Sequence, residues 1–119
     1  MPHVILIEDD ALVRTLLARR MTEAGWSVTA LRDGRHLEEQ IEATPADLLV
    51  VDIGLPNRDG LALVEMLRTR GIIAPVLVIS AYELPHLHAT VRDAGADGLL
   101  EKPFDQEELI ERMQRLLAA

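Results

Sequence analysis

The 119-residue chain contains no cysteine. That excludes a disulfide scaffold, a cysteine nucleophile and a thiolate metal site. Long apolar runs are missing as well. The strongest, such as Leu48–Val51, fall far short of the roughly 20 residues a membrane-spanning helix needs. No basic segment leads into an apolar stretch with a cleavage site, so no signal peptide is expected, and the cytoplasm is the expected location. Repeats, low-complexity tracts and linker-like segments are absent, and the length suits one domain, residues 1–119. Positive charge is in short supply. The net charge of −8 argues against nucleic acid as a direct partner, because that affinity comes mainly from Lys and Arg neutralising phosphates. Lysine is nearly missing: eleven arginines stand beside one lysine, Lys102. A bias toward arginine accounts for the eleven and leaves the exception. Lys is a compact point charge on a flexible stem and Arg a planar fork, so the two differ wherever geometry matters.

What is present is an ordinary globular composition, 49% apolar and 27% charged, arranged as short apolar runs alternating with helical patterns. His3–Ile7, Ser27–Leu31, Leu48–Val51, Val76–Ile79 and Gly98–Lys102 read as strands. Between them the spacing predicts helices over Asp10–Ala24, Arg35–Ala43, Leu61–Arg70 and Pro85–Ala94, and a last one capped by Asp105. The first helix carries a stripe of Val13, Leu16, Leu17, Met21 and Ala24, and the last a stripe of Leu109, Ile110, Met113, Leu116 and Leu117. Residues 54–60 are dense in turn formers and read as a loop. Near-continuous apolar strands are buried on both faces, which implies a parallel sheet covered by helices. A closed barrel needs eight such units and only five fit, so an open, doubly wound five-stranded α/β sheet is expected.

In such sheets the working site lies beyond the carboxyl ends of the strands. Glu8, Asp9 and Asp10 follow the first strand, Asp52 ends the third, Ser80 ends the fourth, and Lys102 ends the fifth, with Pro103 after it. Singly, each has a bland reading as a helix cap, turn residue or solvated end; Asp10 reads best as a cap. Together they place complementary chemistry on one edge. Two carboxylates about 4 Å apart repel by roughly 4 kcal/mol at an effective dielectric near 20. Protonation or a bound cation relieves that. Hard oxygens without Cys or His suit Mg²⁺, and a carboxylate beside such an ion can attack phosphorus. Lys102 and the Ser80 hydroxyl would then surround the product oxygens.

With these residues the chain resembles the receiver domain of two-component response regulators. The matching stretches are Ile-Glu-Asp-Asp at 7–10, Val-Asp-Ile-Gly-Leu-Pro-Asn-Arg-Asp-Gly at 51–60, Ile-Ser-Ala at 79–81, Gly-Ala-Asp-Gly at 95–98 and Glu-Lys-Pro-Phe at 101–104. The resemblance covers essentially the whole chain. It implies the CheY-like, flavodoxin-like strand order 2-1-3-4-5 with helices on both faces. It implies that Asp52 is the phosphoacceptor, supplied by a histidine kinase or histidine phosphotransfer protein. Glu8 and Asp9 match the acidic pair that holds Mg²⁺ together with Asp52, Asp9 being the direct ligand of the pair, and the backbone carbonyl of Gly54 matches a further ligand. Ser80 and Lys102 match the hydroxyl and the lysine that meet the phosphoryl group, and Pro103 the proline held in cis. Such a protein catalyses only its own phosphorylation and dephosphorylation. A downstream effector or output domain, and a homodimer through the last two helices, belong to the same expectation.

One departure stands out. Family members usually carry Tyr or Phe three residues before the lysine, as a switch; here that position is Leu99. Tyr82, the only tyrosine, is the candidate to cover the pocket or share the switching. Leu99 also favours the competing reading, a pseudo-receiver that binds partners without responding to phosphate. An enzyme on the same architecture is disfavoured. A flavin site would not place Glu8-Asp9-Asp10 beside a phosphate, and an aspartyl phosphatase would want a second Asp where Gly54 stands. His86 and His88 are two apart on a predicted helix and do not share a face, so they are not expected to bind metal.

Overall fold

A computed structural model describes residues 1–53, 59–81 and 86–119. The elements alternate strictly: β1 (His3–Ile7), α1 (Ala11–Glu23), β2 (Ser27–Leu31), α2 (Leu37–Ala43), β3 (Leu48–Asp52), α3 (Asp59–Thr69), β4 (Val76–Ser80), α4 (Leu87–Ala94), β5 (Gly98–Glu101) and α5 (Gln106–Ala118). The strands form one parallel sheet in the order β2-β1-β3-β4-β5. The order in which successive strands are added therefore reverses at β1, which pairs with β2 on one side and β3 on the other. That is the switch point at which open α/β sheets bind ligands.

Alternate residues of each strand serve opposite cores. Val4, Leu6, Val50, Leu77, Ile79 and Leu100 pack with Leu17 and Met21 of α1 and Leu109, Ile110 and Met113 of α5. Ile5, Ile7, Val51, Val78 and Leu99 pack on the other face with Leu37 of α2, Val64 and Leu67 of α3, and Leu87 and Val91 of α4. The central strands β3 and β4 are buried throughout, whereas β2, at the sheet edge, is only half-buried. No helix among the described residues is long and apolar enough to cross a membrane.

Several expected boundaries move. Leu16 is not part of the buried stripe of α1; it is 44% exposed, because it lies about 100° around the helix from Leu17. α2 begins at Leu37 rather than Arg35, after Asp33 Oδ1 accepts from the Arg35 amide and holds that residue in a turn. α3 begins two residues early, at Asp59, and brings Gly60 so close to Ile53 that a Cβ there would collide with it. α4 begins at Leu87, after His86 in the left-handed region, and the expected start at Pro85 lies outside the described residues. Asp10 and Asp105 cap α1 and α5 as their positions suggest, accepting from the Val13 and Glu108 amides.

The amino-terminal end of the sheet is closed by Arg68. Its guanidinium donates to the carbonyls of Gly95, Ile72 and Ala74 and to Asp97 Oδ2, all within 2.7–2.9 Å. Asp97 Oδ2 also accepts from the Val76 amide.

Candidate functional site

The opposite, carboxyl-terminal end gathers the acidic residues. Three main-chain hydrogen bonds carry the strand ladders one residue further and fix the strand exits. The Glu8 amide donates to the Leu31 carbonyl, Ile53 to Ile79, and Lys102 to Ser80, the last at 2.7 Å. Asp52 is thereby held at the end of β3, with Glu8 and Lys102 arriving from β1 and β5 on either side.

Lys102 joins them. Its Nζ lies 2.6 Å from Asp52 Oδ2 and 3.4 Å from Glu8 Oε1. Glu8 and Asp52 are buried, at 1% and 6% exposure, and Ser80 is fully buried. Glu8 Oε2 accepts from the Asp10 amide, so both oxygens of this carboxyl are engaged. Asp9 is exposed and lines, with Asp52, a cleft of about 610 Å³ that runs between Arg32 and the α3 residues Leu63 and Met66. Arg14, in the first turn of α1, reaches back and donates to the main-chain carbonyls of Glu8 and Asp9.

Among the described residues, the two buried carboxylates share one ammonium. Burial, followed by the hydrogen bond and charge of Asp52, pushes the Glu8 carboxyl up to about 7. Burial alone would pull the Lys102 ammonium down; the hydrogen bond and charge of Asp52, then those of Glu8, outweigh it and hold the ammonium above its ordinary value. Burial and the neighbouring Asp52 thus favour the neutral form of Glu8.

No set of three His, Asp or Glu side chains converges as a metal cage among the described residues. The donor chemistry nevertheless fits Mg²⁺, which takes one or two carboxylates and completes its octahedron with water and phosphate oxygens. Asp52 and Asp9 open onto one cleft, and Glu8 carries a charge that burial disfavours.

The structure brings Glu8, Asp52 and Lys102 into direct contact, places Asp9 at the same opening, and sets Ser80 at the end of the neighbouring strand. Asp10 caps α1 rather than joining the cluster through its side chain. The Lys102–Pro103 peptide bond is cis. Leu99 is buried against α4. Gly54 and Tyr82 lie outside the described residues. His88 Nε2 lies 3.1 Å from Glu101 Oε1, away from His86 in the loop before α4. Arg14 was not foreseen; its only signal in the sequence is a basic residue one helical turn past the acidic run.

This sheet order, with acidic residues and a lysine gathered at one rim, defines a class. The family model described as the response regulator receiver domain matches residues 4–114, and the chain belongs to that family. It is 38% identical over 117 residues to the virulence transcriptional regulatory protein PhoP of Salmonella choleraesuis, an alignment covering 98% of this chain and 52% of that protein. The chain thus spans about half the length of the curated relatives it matches. Among solved structures, the Francisella response regulator 1452 receiver domain superposes with a TM-score of 0.91 at 30% identity, covering 99% of this chain and 98% of the other. The BeF3-activated N-terminal receiver domain of Klebsiella pneumoniae RstA gives 0.89 at 26% identity, covering 98% and 99%.

Proposed function

We propose that this receiver domain is a phosphorylation-controlled switch in which Asp52 accepts a phosphoryl group from a histidine kinase or histidine phosphotransfer protein. The observation that carries this reading is the contact of the sole lysine with the buried Asp52 carboxylate, 2.6 Å apart, beside a second buried acid. An Asp52 oxygen attacks the phosphorus of the donor's phosphohistidine, the P–N bond breaks, and the imidazole leaves with the electron pair. Lys102, already on Oδ2, stays beside the charge that collects on the phosphoryl oxygens. The Ser80 hydroxyl, at the end of the next strand, donates to one of those oxygens. Bound Mg²⁺, held by Asp9 and Asp52 with Glu8 behind them and the Gly54 carbonyl as a further ligand, would neutralise phosphoryl charge. Later attack of water on phosphorus breaks the P–O bond to Asp52 and releases inorganic phosphate. No separate substrate is turned over. The added charge biases Ser80 and the packing around β4, β5 and α4 toward a second arrangement, which a downstream effector or output domain reads.

The test is intact-protein mass after incubation with acetyl phosphate. The wild-type protein is expected to gain one phosphoryl group only when Mg²⁺ is present, and Asp52→Asn none. No gain in wild type, or an equal gain in Asp52→Asn, overturns the proposal.

A further inference from the structure

Arg14 occupies a position that the phosphoryl chemistry above does not use. β1 ends at Ile7 and the hydrogen-bond ladder of α1 begins at the Asp10 carbonyl, which accepts from the Arg14 amide. The carbonyls of Glu8 and Asp9 fall between the two ladders. The same Arg14 returns along the junction, and its Nη1 lies 3.0 Å from the Glu8 carbonyl and 3.3 Å from that of Asp9. The residue therefore clamps the β1–α1 turn twice, once through its main chain and once through its side chain. It does so from the backbone side, and none of its hydrogen bonds goes to a Glu8 or Asp9 carboxylate oxygen.

This matters because Asp9 has little else to hold it. Glu8 is buried and its oxygens are tied to the Asp10 amide and Lys102. Asp9 is exposed. The direction in which its Cα–Cβ bond projects is set by the two peptide planes on either side of its Cα, and those are the planes whose carbonyls Arg14 grips. Cation–oxygen bonds tolerate little angular error when the ion is small and octahedral. Groups that orient ligands without touching the metal typically change affinity 10- to 100-fold.

We infer that Arg14 is a positioning residue for the divalent-ion site, fixing the peptide planes from which Glu8 and Asp9 present their carboxylates. The inference rests on the proposed Mg²⁺-dependent function. It has an unusual sign. Removing a positive charge beside an acidic cluster should, by Coulomb's law alone, tighten cation binding; loss of positioning loosens it. The two effects oppose each other, so the direction of the change identifies the role.

The experiment is a MgCl₂ titration of the unphosphorylated protein, followed by the amide NMR shifts of residues 8–11, with thermal melts alongside. For Arg14→Met, Mg²⁺ affinity is expected to fall about tenfold while the fold is kept. Arg14→Lys keeps the charge but not the fork, and an intermediate loss of about threefold is expected. Affinity within twofold of wild type, or tighter, in Arg14→Met overturns the inference. Should Arg14→Met fail to fold, Arg14→Lys decides by the same limit. If wild type shows no Mg²⁺-dependent shifts, the parent reading fails; if wild type binds and both variants bind equally well, only the role of Arg14 fails.

Discussion

The two ends of the sheet each hold a partly buried cation beside carboxylates, and they are built to opposite effect. At the amino-terminal end Arg68 meets one carboxylate, Asp97, and three carbonyls, and Asp97 takes a main-chain amide as well. Charge there is matched one to one. At the carboxyl-terminal end one ammonium among the described residues faces Glu8 and Asp52, with Asp9 at the opening. The first end behaves as a rivet. The second, among the described residues, sets two acids against one ammonium and leaves Asp9 open to the cleft. Both ends are rich in hydrogen bonds, so the count of contacts does not separate them; the charge balance does.

The contrast can be broken most sharply at the matched end. Arg68→Ala removes a cation from three carbonyls and an acid, and about 3 kcal/mol of stability is expected to go with it in urea unfolding. Phosphoryl uptake per folded molecule is expected to stay unchanged, since nothing at the other end is touched. A loss under 1 kcal/mol would show the rivet to be ornamental. At the unmatched end, neutralising a carboxyl should stabilise. The folded Glu8 pKa of about 7 lies above its ordinary value of 4.5, so the folded state holds the extra proton in that window. The contribution of Glu8 to stability is then greatest below about 4.5 and is lost as pH rises through about 7. Lys102 is displaced upward from a value already above 10, so it does not bend this part of the curve. Glu8→Gln is accordingly expected to gain about 3 kcal/mol over wild type at pH 8 and almost nothing at pH 4.5, measured by chemical denaturation at both. Equal effects at the two pH values would refute the charge argument. The smallest effect is that of the ion. Mg²⁺ at ten times its dissociation constant should raise unfolding free energy by about 1.4 kcal/mol at pH 8 and by clearly less at pH 5, where Glu8 keeps its proton.

The sheet itself was legible because burial on both faces writes an unbroken apolar run, and the chain displays three of them. The edge strand β2 is half-buried, and its residues Ser27 and Thr29 carry hydroxyls that meet the ring nitrogens of His3. Asp52, Ser80 and Lys102 were readable as site residues because strand ends can be counted in sequence. That Lys102 would bridge two acids rather than one was not, since it depends on how far β1 and β5 diverge on either side of β3. Helix limits slipped where side chains, not periodicity, decide them: Asp33 delays α2 by holding Arg35 in a turn. Leu16 was misplaced because apolarity marks a candidate face, and only packing selects how wide that face is. Arg14 and Arg68 were invisible for a common reason. Both act on carbonyl oxygens, and a carbonyl leaves no mark in an amino-acid sequence.

Leu99 and Leu100 are neighbours in β5, yet they sink into opposite cores, one against α4 and the other against the layer of α1 and α5. Two residues further on is the ammonium that grips Asp52. A strand embedded in two layers cannot be tugged for the benefit of one. A pull on Lys102 along β5 therefore meets packed side chains on both faces of the sheet, not on one.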